Sequence, residues 1–274
     1  MSCLKKIAVV TGGAGGMGFA TAALLGRDHH VVISDVNQLR LDAAAARLQE
    51  DGISCDTALC DVADRESVEA LVRRVEGMGE VAAVIHTAGI SPQMADPETI
   101  LRVNALGTIN ITEAFLRIAK AGFALVNVAS MAGHMLPNVI IPTRAYRYAL
   151  TDVNLFLKKL LFRCRLMPKE FYRVGMAYSV SKHFVIWYCK KNAARFGAKG
   201  ARILSVSPGT FDTEMGRLEE KSGSMELLRQ AALQRPGKPE EIAELLAFCA
   251  SEKAGYLTGV DILCDGGVVA AKVA

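Results

Sequence analysis

Short runs of β-branched and other apolar residues recur along the chain, and a stretch of helix length separates most runs from the next. Six runs have this character: 7–10 (IAVV), 30–34 (HVVIS), 81–86 (VAAVIH), 123–130 (FALVNVAS), 201–207 (ARILSVS) and 259–264 (GVDILC). Short apolar runs bounded by polar residues are typical of strands that a parallel sheet buries on both faces. The pattern therefore predicts a set of buried parallel strands.

The segments between the predicted strands have helical periodicity. In residues 38–50 and 66–76, Leu, Val and Ala recur at helical spacing, and charged residues occupy the opposite side. Strands that alternate with helices through right-handed crossovers form a doubly wound α/β sheet. No short-period repeat and no linker rich in Pro, Gly or Ser divides the chain. We therefore expect one α/β domain spanning residues 1–274.

One segment, residues 136–173, interrupts this alternation. It contains eight basic and two acidic residues, a net charge of +6 in a chain whose total is +4. Either Thr151 or Asp152 can cap a helix that ends at about Arg163. Lysines would flank the apolar stripe of that helix, which consists of Val153, Phe156, Leu157, Leu160 and Leu161. We expect an extra amphipathic helix in this insertion.

Composition narrows the class of protein. The 274 residues are 51% apolar and 22% charged, which suits a globular core and excludes a disordered chain. A net charge of +4 is too small to indicate a nucleic-acid-binding protein. Charges or glycines interrupt every apolar run before the roughly 18 to 20 residues of a membrane-spanning helix, and the N-terminal run is too short for a signal peptide. We expect a soluble, cytoplasmic protein without a transmembrane segment.

Cysteine and histidine positions do not indicate a metal site. The seven cysteines are an odd set without a C-x-x-C pair, so neither a disulfide framework nor a zinc site is predicted. His29 and His30 are adjacent and would point to opposite faces of a strand, and no H-E-x-x-H sequence is present. A reducing compartment and no bound metal are the expectations.

A glycine-rich turn follows the first predicted strand and precedes a helix-forming stretch. Residues 11–18 read TGGAGGMG, with glycines at 12, 16 and 18. Glycines let the backbone approach a diphosphate at a helix N-terminus, where free N–H groups and the helix dipole favour negative charge. A flexible turn is the alternative, but the strand before it and the helix after it favour a dinucleotide site.

Asp35 indicates which dinucleotide binds. It ends the second predicted strand, 23 residues after Gly12, where a carboxylate can accept hydrogen bonds from the adenosine ribose and would repel a 2′-phosphate. No Arg or Lys occupies the next three positions. We therefore expect NAD rather than NADP, although Asp35 could also cap the helix at 38–50. Asp61 and Val62, which precede the predicted helix at 66–76, are expected to meet the adenine.

Tyr178 and Lys182 place a phenol and an ammonium four residues apart, on one face of a helix. A nearby ammonium lowers the pKa of a phenol, so Tyr178 could exchange a proton with an alcohol or carbonyl oxygen while Lys182 also reaches the nicotinamide ribose. Ser130 closes the strand predicted at 123–130, at the carboxyl edge of the sheet, where its hydroxyl could hold the substrate oxygen. The alternative for Ser130 is a small residue in a tight turn.

Together these motifs resemble the short, single-domain branch of the short-chain dehydrogenase/reductases. They occur in the family's order over nearly the whole chain: TGGAGGMG, Asp61-Val62, Thr87-Ala88-Gly89, Asn104, Ser130, Tyr178 with Lys182, and Pro208-Gly209-Thr210. The resemblance implies a seven-stranded Rossmann sheet, a Ser-Tyr-Lys triad that Asn104 extends into a water-mediated proton relay, and a homodimer or homotetramer. It also places Pro208, Gly209, Thr210 and Thr213 near the nicotinamide.

The expected cofactor-binding residues, from the motifs and the resemblance, are Thr11, Gly12, Gly16, Met17, Gly18, Asp35, Asp61, Val62, Ala88, Gly89, Tyr178, Lys182, Pro208, Gly209, Thr210 and Thr213. The expected catalytic residues are Ser130, Tyr178, Lys182 and Asn104.

Two features depart from the family pattern. Thr87 stands where the family has a sheet-bracing Asn, and it can still donate one hydrogen bond. The interval of 48 residues from Ser130 to Tyr178 is far longer than usual because the basic insertion 136–173 lies within it. In position, this insertion resembles those of some bacterial hydroxysteroid dehydrogenases and carbonyl reductases, where the usual dimer-forming helices are partly covered.

The leading hypothesis is an NAD-dependent oxidoreductase that interconverts a secondary alcohol and a ketone. The apolar stripe of the insertion suggests a hydrophobic, steroid-like substrate, and the insertion is either a substrate lid or a solvated helix that covers the sheet edge. A 3-oxoacyl reductase is the alternative within the class, and Asp35 argues against the NADPH that such enzymes use. An enoyl reductase fits less well, because that group has a longer Tyr-Lys spacing. A non-catalytic NAD sensor that docks a partner or an anionic membrane is the alternative outside the class.

Overall fold

Seven parallel strands form a single sheet in the order β3-β2-β1-β4-β5-β6-β7 in the computed structural model. The structure describes residues 6–137, 139–219 and 225–271; the N-terminal residues 1–5, which include Cys3, and Asn138 of the insertion lie outside this description. The strands are β1 (Ile7–Thr11), β2 (His30–Asp35), β3 (Cys55–Leu59), β4 (Val81–His86), β5 (Ala124–Val128), β6 (Arg202–Pro208) and β7 (Asp261–Cys264).

Helices connect the strands and cover both faces of the sheet. They are α1 (Gly16–Leu25), α2 (Gln38–Glu50), α3 (Arg65–Met78), α4 (Pro97–Leu101), α5 (Gly107–Ile118), α6 (Thr143–Tyr146), α7 (Val153–Arg165), α8 (Glu170–Gly197), α9 (Glu214–Glu219), α10 (Met225–Gln230), α11 (Pro239–Ala250) and α12 (Val268–Ala271). A π-helical turn, Arg102–Leu106, joins α4 to α5, and short 3-10 turns span Met131–His134, Arg147–Leu150 and Glu252–Ala254.

The predicted doubly wound parallel sheet is confirmed. One apolar cluster packs between the sheet and α3, α5 and α8, and a second packs between the opposite face and α1, α2 and α11. All five residues of β1 are buried, which is why its sequence is uniformly apolar up to Thr11. β3 is absent from the six apolar runs because its sequence, CDTAL, has the polar residues Asp56 and Thr57 at partly buried positions, and Ala58 alone is buried.

The change of strand order beside β1 positions the site. After β3 the chain crosses back, and β4 pairs with the other side of β1. The turns that leave β1 and β4 therefore diverge from neighbouring strand ends and open a crevice at the carboxyl edge of the sheet, where ligands of open α/β sheets bind.

The insertion folds as predicted into an extra helix, α7. Asp152 caps it by accepting a hydrogen bond from Leu155 N at 2.9 Å, and the helix continues two residues beyond the expected end. Its inner face is fully buried against α8: the rings of Phe156 and Phe184 lie 4.6 Å apart between centroids. This face supports the helix that carries Tyr178 and Lys182.

Candidate active site

The glycine-rich turn forms a cradle that side chains would fill. Gly12 has φ +65°, and a Cβ there would lie 2.8 Å from the Ala88 main chain. A Cβ on Gly18 would overlap the Gly12 carbonyl oxygen, and one on Gly16 would lie 2.8 Å from Thr213 Cγ2. α1 begins at Gly16 and its N-cap, Gly15, has no side chain to cap the first-turn N–H groups. The cradle fits the diphosphate of a dinucleotide.

A cavity of about 480 Å³ extends from this cradle to the Tyr-Lys pair. Many of the predicted site residues contribute to its wall: Gly12, Gly16, Met17, Gly18, Gly89, Ser130, Tyr178, Lys182, Pro208, Gly209 and Thr213. The fold thus brings residues from the ends of β1, β4, β5 and β6 and from α8 to one cavity.

Lys182 and Tyr178 are one turn apart on α8. The Lys182 side chain is only 6% exposed, and its Nζ donates a hydrogen bond to the Val128 carbonyl oxygen at 3.0 Å. Nζ also lies 5.9 Å from the centroid of the Tyr178 ring. The carbonyl at the end of β5 therefore holds a buried positive charge beside the phenol.

Ser130 lies two residues beyond the end of β5 rather than within the strand. It is the N-cap of the 3-10 turn Met131–His134, and its Oγ accepts a hydrogen bond from Ala132 N at 3.1 Å. Because that bond uses an oxygen lone pair, the hydroxyl hydrogen remains available for an oxygen in the cavity.

Asn104 occupies the π-helical turn between α4 and α5. Its Oδ1 accepts from Ile90 N at 2.9 Å, and its Nδ2 donates to Ile90 O at 3.0 Å and to Ser181 Oγ at 3.3 Å. A Cβ on Gly89 would lie 3.2 Å from both Asn104 Oδ1 and Lys182 Nζ. Asn104 thus fixes the loop after β4 against α8, and glycine at 89 permits this close approach.

A buried histidine, which the sequence did not indicate as functional, lies beneath the site. His86 ends β4, and its Nδ1 is 2.7 Å from Thr11 Oγ1. Burial, with a smaller contribution from the positive charge of Lys182, lowers the pKa of His86 to about 3. His86 is therefore neutral near pH 7.

Thr11 and Thr87 brace the sheet. Thr87 Oγ1 donates to Thr11 O at 2.7 Å, the type of hydrogen bond expected when Thr replaces the family's Asn. Thr87 also lines the cavity, whereas Thr11 and Ala88 do not. Thr210 is also buried outside the cavity wall, next to a small second pocket, and its Oγ1 has no hydrogen-bond partner among the described residues.

Asp35 is half-buried at the end of β2, where its Oδ1 accepts a hydrogen bond from Asn37 N at 3.3 Å. The cap of α2 is Asn37, which accepts from Arg40 N at 3.1 Å. The alternative reading, in which Asp35 caps this helix, is therefore wrong. Asp61 is exposed, and Val62 packs against Gly107 outside the cavity wall.

Two charged residues in the cavity wall were missed by the sequence analysis. Arg40, in the first turn of α2, and Glu214, at the start of α9, form an ion pair of 2.9 Å across the cavity. They are 174 residues apart in sequence, so no local motif joins them. Arg40 lies five positions after Asp35, beyond the three positions from which the preference for NAD was predicted.

The substrate end of the cavity is apolar and rich in methionine. Its wall includes Met94, Met131, Met135, Met215, Leu218 and Leu227. No described residue between 136 and 177 contributes to this wall. The apolar stripe of α7 is used in packing, so it carries no information about the substrate.

Comparisons with known proteins agree with this geometry. The family model described as short chain dehydrogenase matches residues 6–146, and the model described as Enoyl-(Acyl carrier protein) reductase matches residues 169–269. The segment between the two matches contains α7.

Similar proteins match over almost the full length. The chain is 29% identical over 271 residues to Short-chain dehydrogenase/reductase bsc3 of Alternaria brassicicola, with 97% of each chain covered. It is 30% identical over 278 residues to the A-factor type gamma-butyrolactone 1'-reductase (1S-forming) of Streptomyces virginiae, with 96% of this chain and 95% of that one covered. A short chain dehydrogenase from Burkholderia cenocepacia J2315, solved in complex with NADP, is 25% identical with a TM-score of 0.75, covering 97% of this chain and 98% of that one.

Proposed function

The chain belongs to the short-chain dehydrogenase/reductase family of nicotinamide-dependent oxidoreductases, and from this premise we propose that it interconverts a hydrophobic secondary alcohol and its ketone with NAD. The observation that supports the proposal is that one cavity holds the glycine cradle at one end and Ser130, Tyr178 and Lys182 at the other. The interval of four residues between Tyr178 and Lys182 favours this chemistry over enoyl reduction.

Tyr178 is the proposed acid and base. When bound, the nicotinamide accepts or supplies the hydride. The ionised Tyr178 oxygen takes the proton from the alcohol oxygen in one direction, and the neutral Tyr178 hydroxyl gives a proton to the ketone oxygen in the other. The buried ammonium of Lys182, held by the Val128 carbonyl, stabilises the ionised phenol through its positive charge.

Ser130 and Asn104 have supporting roles in this proposal. The Ser130 hydroxyl donates to the substrate oxygen, where negative charge develops as the hydride leaves or arrives. Asn104, linked to the loop after β4 and to Ser181, extends the proton path from Lys182 toward water.

The preference for NAD is proposed from the charges at the adenosine end. Because Asn37 rather than Asp35 caps α2, we expect the Asp35 carboxylate to accept hydrogen bonds from the ribose hydroxyls. Arg40 is the nearby cation that could neutralise a 2′-phosphate, but Glu214 already pairs with it at 2.9 Å. Binding NADP would require that ion pair to open and would bring the phosphate toward Asp35.

The proposed substrate class follows from the methionine wall. Methionine side chains are flexible and polarisable, and they adapt to apolar ligands of irregular shape. Met94, Met131, Met135 and Met215 therefore favour a hydrophobic carbon skeleton that carries one hydroxyl or keto group. The proposal of a hydrophobic substrate therefore rests on the methionine wall and not on the apolar stripe of α7.

The catalytic assignment is tested with Tyr178→Phe and a panel of hydrophobic secondary alcohols and ketones. We expect turnover, followed by nicotinamide absorbance, to fall by about 10²-fold or more, because general acid–base catalysis contributes on that scale. Dinucleotide affinity should change little. Tyr256→Phe, at a fully exposed tyrosine, is the matched control. Unchanged turnover in Tyr178→Phe would remove the assignment, and no turnover of any substrate by the unmodified protein would favour an NAD sensor.

The cofactor assignment is tested by measuring the affinities for NAD and NADP. Asp35→Asn should reduce the preference for NAD by at least about fivefold, since a like charge at about 4 Å costs about 1 to 4 kcal/mol. Asp51→Asn, at an exposed position at the other end of α2, is the control. Tighter NADP binding by the unmodified protein, lost in Arg40→Gln, would instead show that Arg40 leaves Glu214 to bind the 2′-phosphate.

A further inference from the structure

The side of α7 that faces away from the protein carries a second apolar surface. Phe162 and Leu166 are four residues apart, on the same side of the helix, and are 63% and 58% exposed. Helical spacing turns Phe162 by about 120° and 160°, and Leu166 by about 80° and 120°, away from Phe156 and Leu160. Phe156 and Leu160 are fully buried against the core. The helix therefore has an inner apolar face that packs and an outer apolar line that the described part of the chain leaves uncovered.

Basic side chains flank this line on both sides. At 100° per residue, Lys158 and Arg165 lie on one side of Phe162, and Lys159 and Arg163 lie on the other. All four are exposed. An apolar line between two basic borders is the pattern of a helix that lies in a membrane interface.

The start of α8 adds exposed aromatic rings shortly after this helix. Phe171 and Tyr172 are 63% and 52% exposed, and their rings contact edge to face at 5.6 Å. Lys169 precedes them and is also exposed. Aromatic rings and lysine are favoured at the boundary between headgroups and acyl chains. We call the exposed residues Lys158, Lys159, Phe162, Arg163, Arg165, Leu166, Lys169, Phe171 and Tyr172 the outer face.

We propose that the outer face docks the protein peripherally on an anionic lipid bilayer. Its lysines and arginines meet acidic headgroups, and the rings of Phe162, Phe171 and Tyr172 enter the boundary with the acyl chains. In the described residues, no helix is both long and apolar enough to cross a membrane, so the association is with the surface. Leaving the four large side chains of Phe162, Leu166, Phe171 and Tyr172 in water costs more free energy than placing them at the boundary with the acyl chains.

A second copy of the chain fits this surface less well. In a two-fold symmetric contact the same patch meets itself, so two insertions of charge +6 would face each other. Like charges brought together in this way repel, whereas an anionic bilayer attracts them. The positive charge of the outer face therefore favours an anionic lipid surface over a second copy of the chain.

Vesicle flotation tests the proposal. The purified full-length protein is mixed with phosphatidylcholine vesicles that contain either no phosphatidylserine or about 30% phosphatidylserine. We expect flotation with the anionic vesicles and its loss as salt is raised. The double variant Lys158→Gln/Arg165→Gln should bind about 30-fold more weakly, from about 1 kcal/mol per basic residue near the surface. The double variant Phe162→Gln/Leu166→Gln should lose at least about tenfold.

Matched controls make the same chemical changes elsewhere. Lys120→Gln/Lys253→Gln removes two exposed lysines outside the insertion, and Phe248→Gln/Tyr256→Gln removes two exposed aromatic rings. Both controls should float like the unmodified protein. None of the outer-face residues lines the cavity, so turnover in solution should be unchanged in every variant and failure of the catalytic proposal would be seen separately.

Three results would overturn the docking proposal. One is that the unmodified protein does not float with anionic vesicles. Another is that the two outer-face variants float as well as the controls although their thermal unfolding is unchanged. The third is that sedimentation velocity shows these variants splitting an oligomer while vesicles are not bound, which would make the outer face an interface between copies.

Discussion

Replacing His86 with Asn should remove much of the acid sensitivity of the fold. Burial chiefly, and the charge of Lys182 to a smaller degree, lower the pKa of His86 from 6.5 to about 3. Between these two values the unfolded chain binds a proton that the folded chain does not. The free energy of unfolding therefore holds its full value above about pH 6.5 and falls as the pH drops toward 3.

The size of the effect follows from that window. A pH of 4.5 is two units below the pKa of His86 in the unfolded chain and still above its pKa in the folded chain. Each of these two pH units lowers the free energy of unfolding by about 1.4 kcal/mol. The unmodified protein should lose about 3 kcal/mol through His86 between pH 7 and pH 4.5. With an m value of about 3 kcal/mol/M, the urea midpoint should fall by about 1 M more than in His86→Asn.

Urea titrations of both proteins at the two pH values, followed by Trp187 fluorescence, measure this difference. Other groups that titrate in the range, such as His183 with its pKa lowered to about 4, are common to both proteins and cancel. Thr11→Val is the control, because it removes the hydroxyl beside His86 Nδ1 but keeps the imidazole. Equal loss of stability in the unmodified protein and in His86→Asn would refute the reasoning.

Three further substitutions test the fold and the cradle. Gly18→Ala should abolish dinucleotide binding, measured by nicotinamide fluorescence, because its Cβ would overlap the Gly12 carbonyl oxygen. Arg202→Met should cost about 3 kcal/mol or more in urea unfolding, since the buried guanidinium donates to four main-chain carbonyl oxygens at and after the end of α11. Phe156→Ala should lower the free energy of unfolding by about 3 to 5 kcal/mol, because the ring packs on Phe184 with no exposure; a cost under 1 kcal/mol would mean that α7 is not part of the core.

Much of the fold could be predicted because buried positions carry apolar residues, and these form recognisable local patterns in the sequence. Six strands have apolar runs since helices cover both faces of the sheet, and the bounds of α2 agree with the periodicity of residues 38–50. β3 escaped the pattern because the polar residues Asp56 and Thr57 in its centre stay partly exposed, whereas β7, at the opposite edge of the sheet, keeps the apolar pair Ile262 and Leu263. An edge position permits polar residues in a strand but does not require them, so a single sequence does not reveal which edge strand lacks an apolar run.

The candidate site also has a part that local sequence predicts and a part that only the folded chain brings together. The glycine turn and the pair Tyr178 and Lys182 are each compact in sequence, so their spacing could be interpreted directly. The ion pair of Arg40 with Glu214, and the methionine wall, join residues from segments that only the folded sheet brings together. His86 is a similar case, because its neutral state depends on burial between strands.

The insertion shows how one amphipathic pattern can serve two surfaces. Phe156 and Phe162 are residues of the same type, and helical spacing places Phe156 in the predicted apolar stripe but leaves Phe162 outside it. In the structure, Phe162 belongs to a second, exposed apolar surface of α7. Packing of the inner face on Phe184 connects α7 to α8, so removing the whole insertion would disturb Tyr178 through the core and could not distinguish a lid from a scaffold. Substitutions confined to the outer face leave that packing intact. These substitutions therefore distinguish the role of the insertion in packing from its proposed role in binding a membrane.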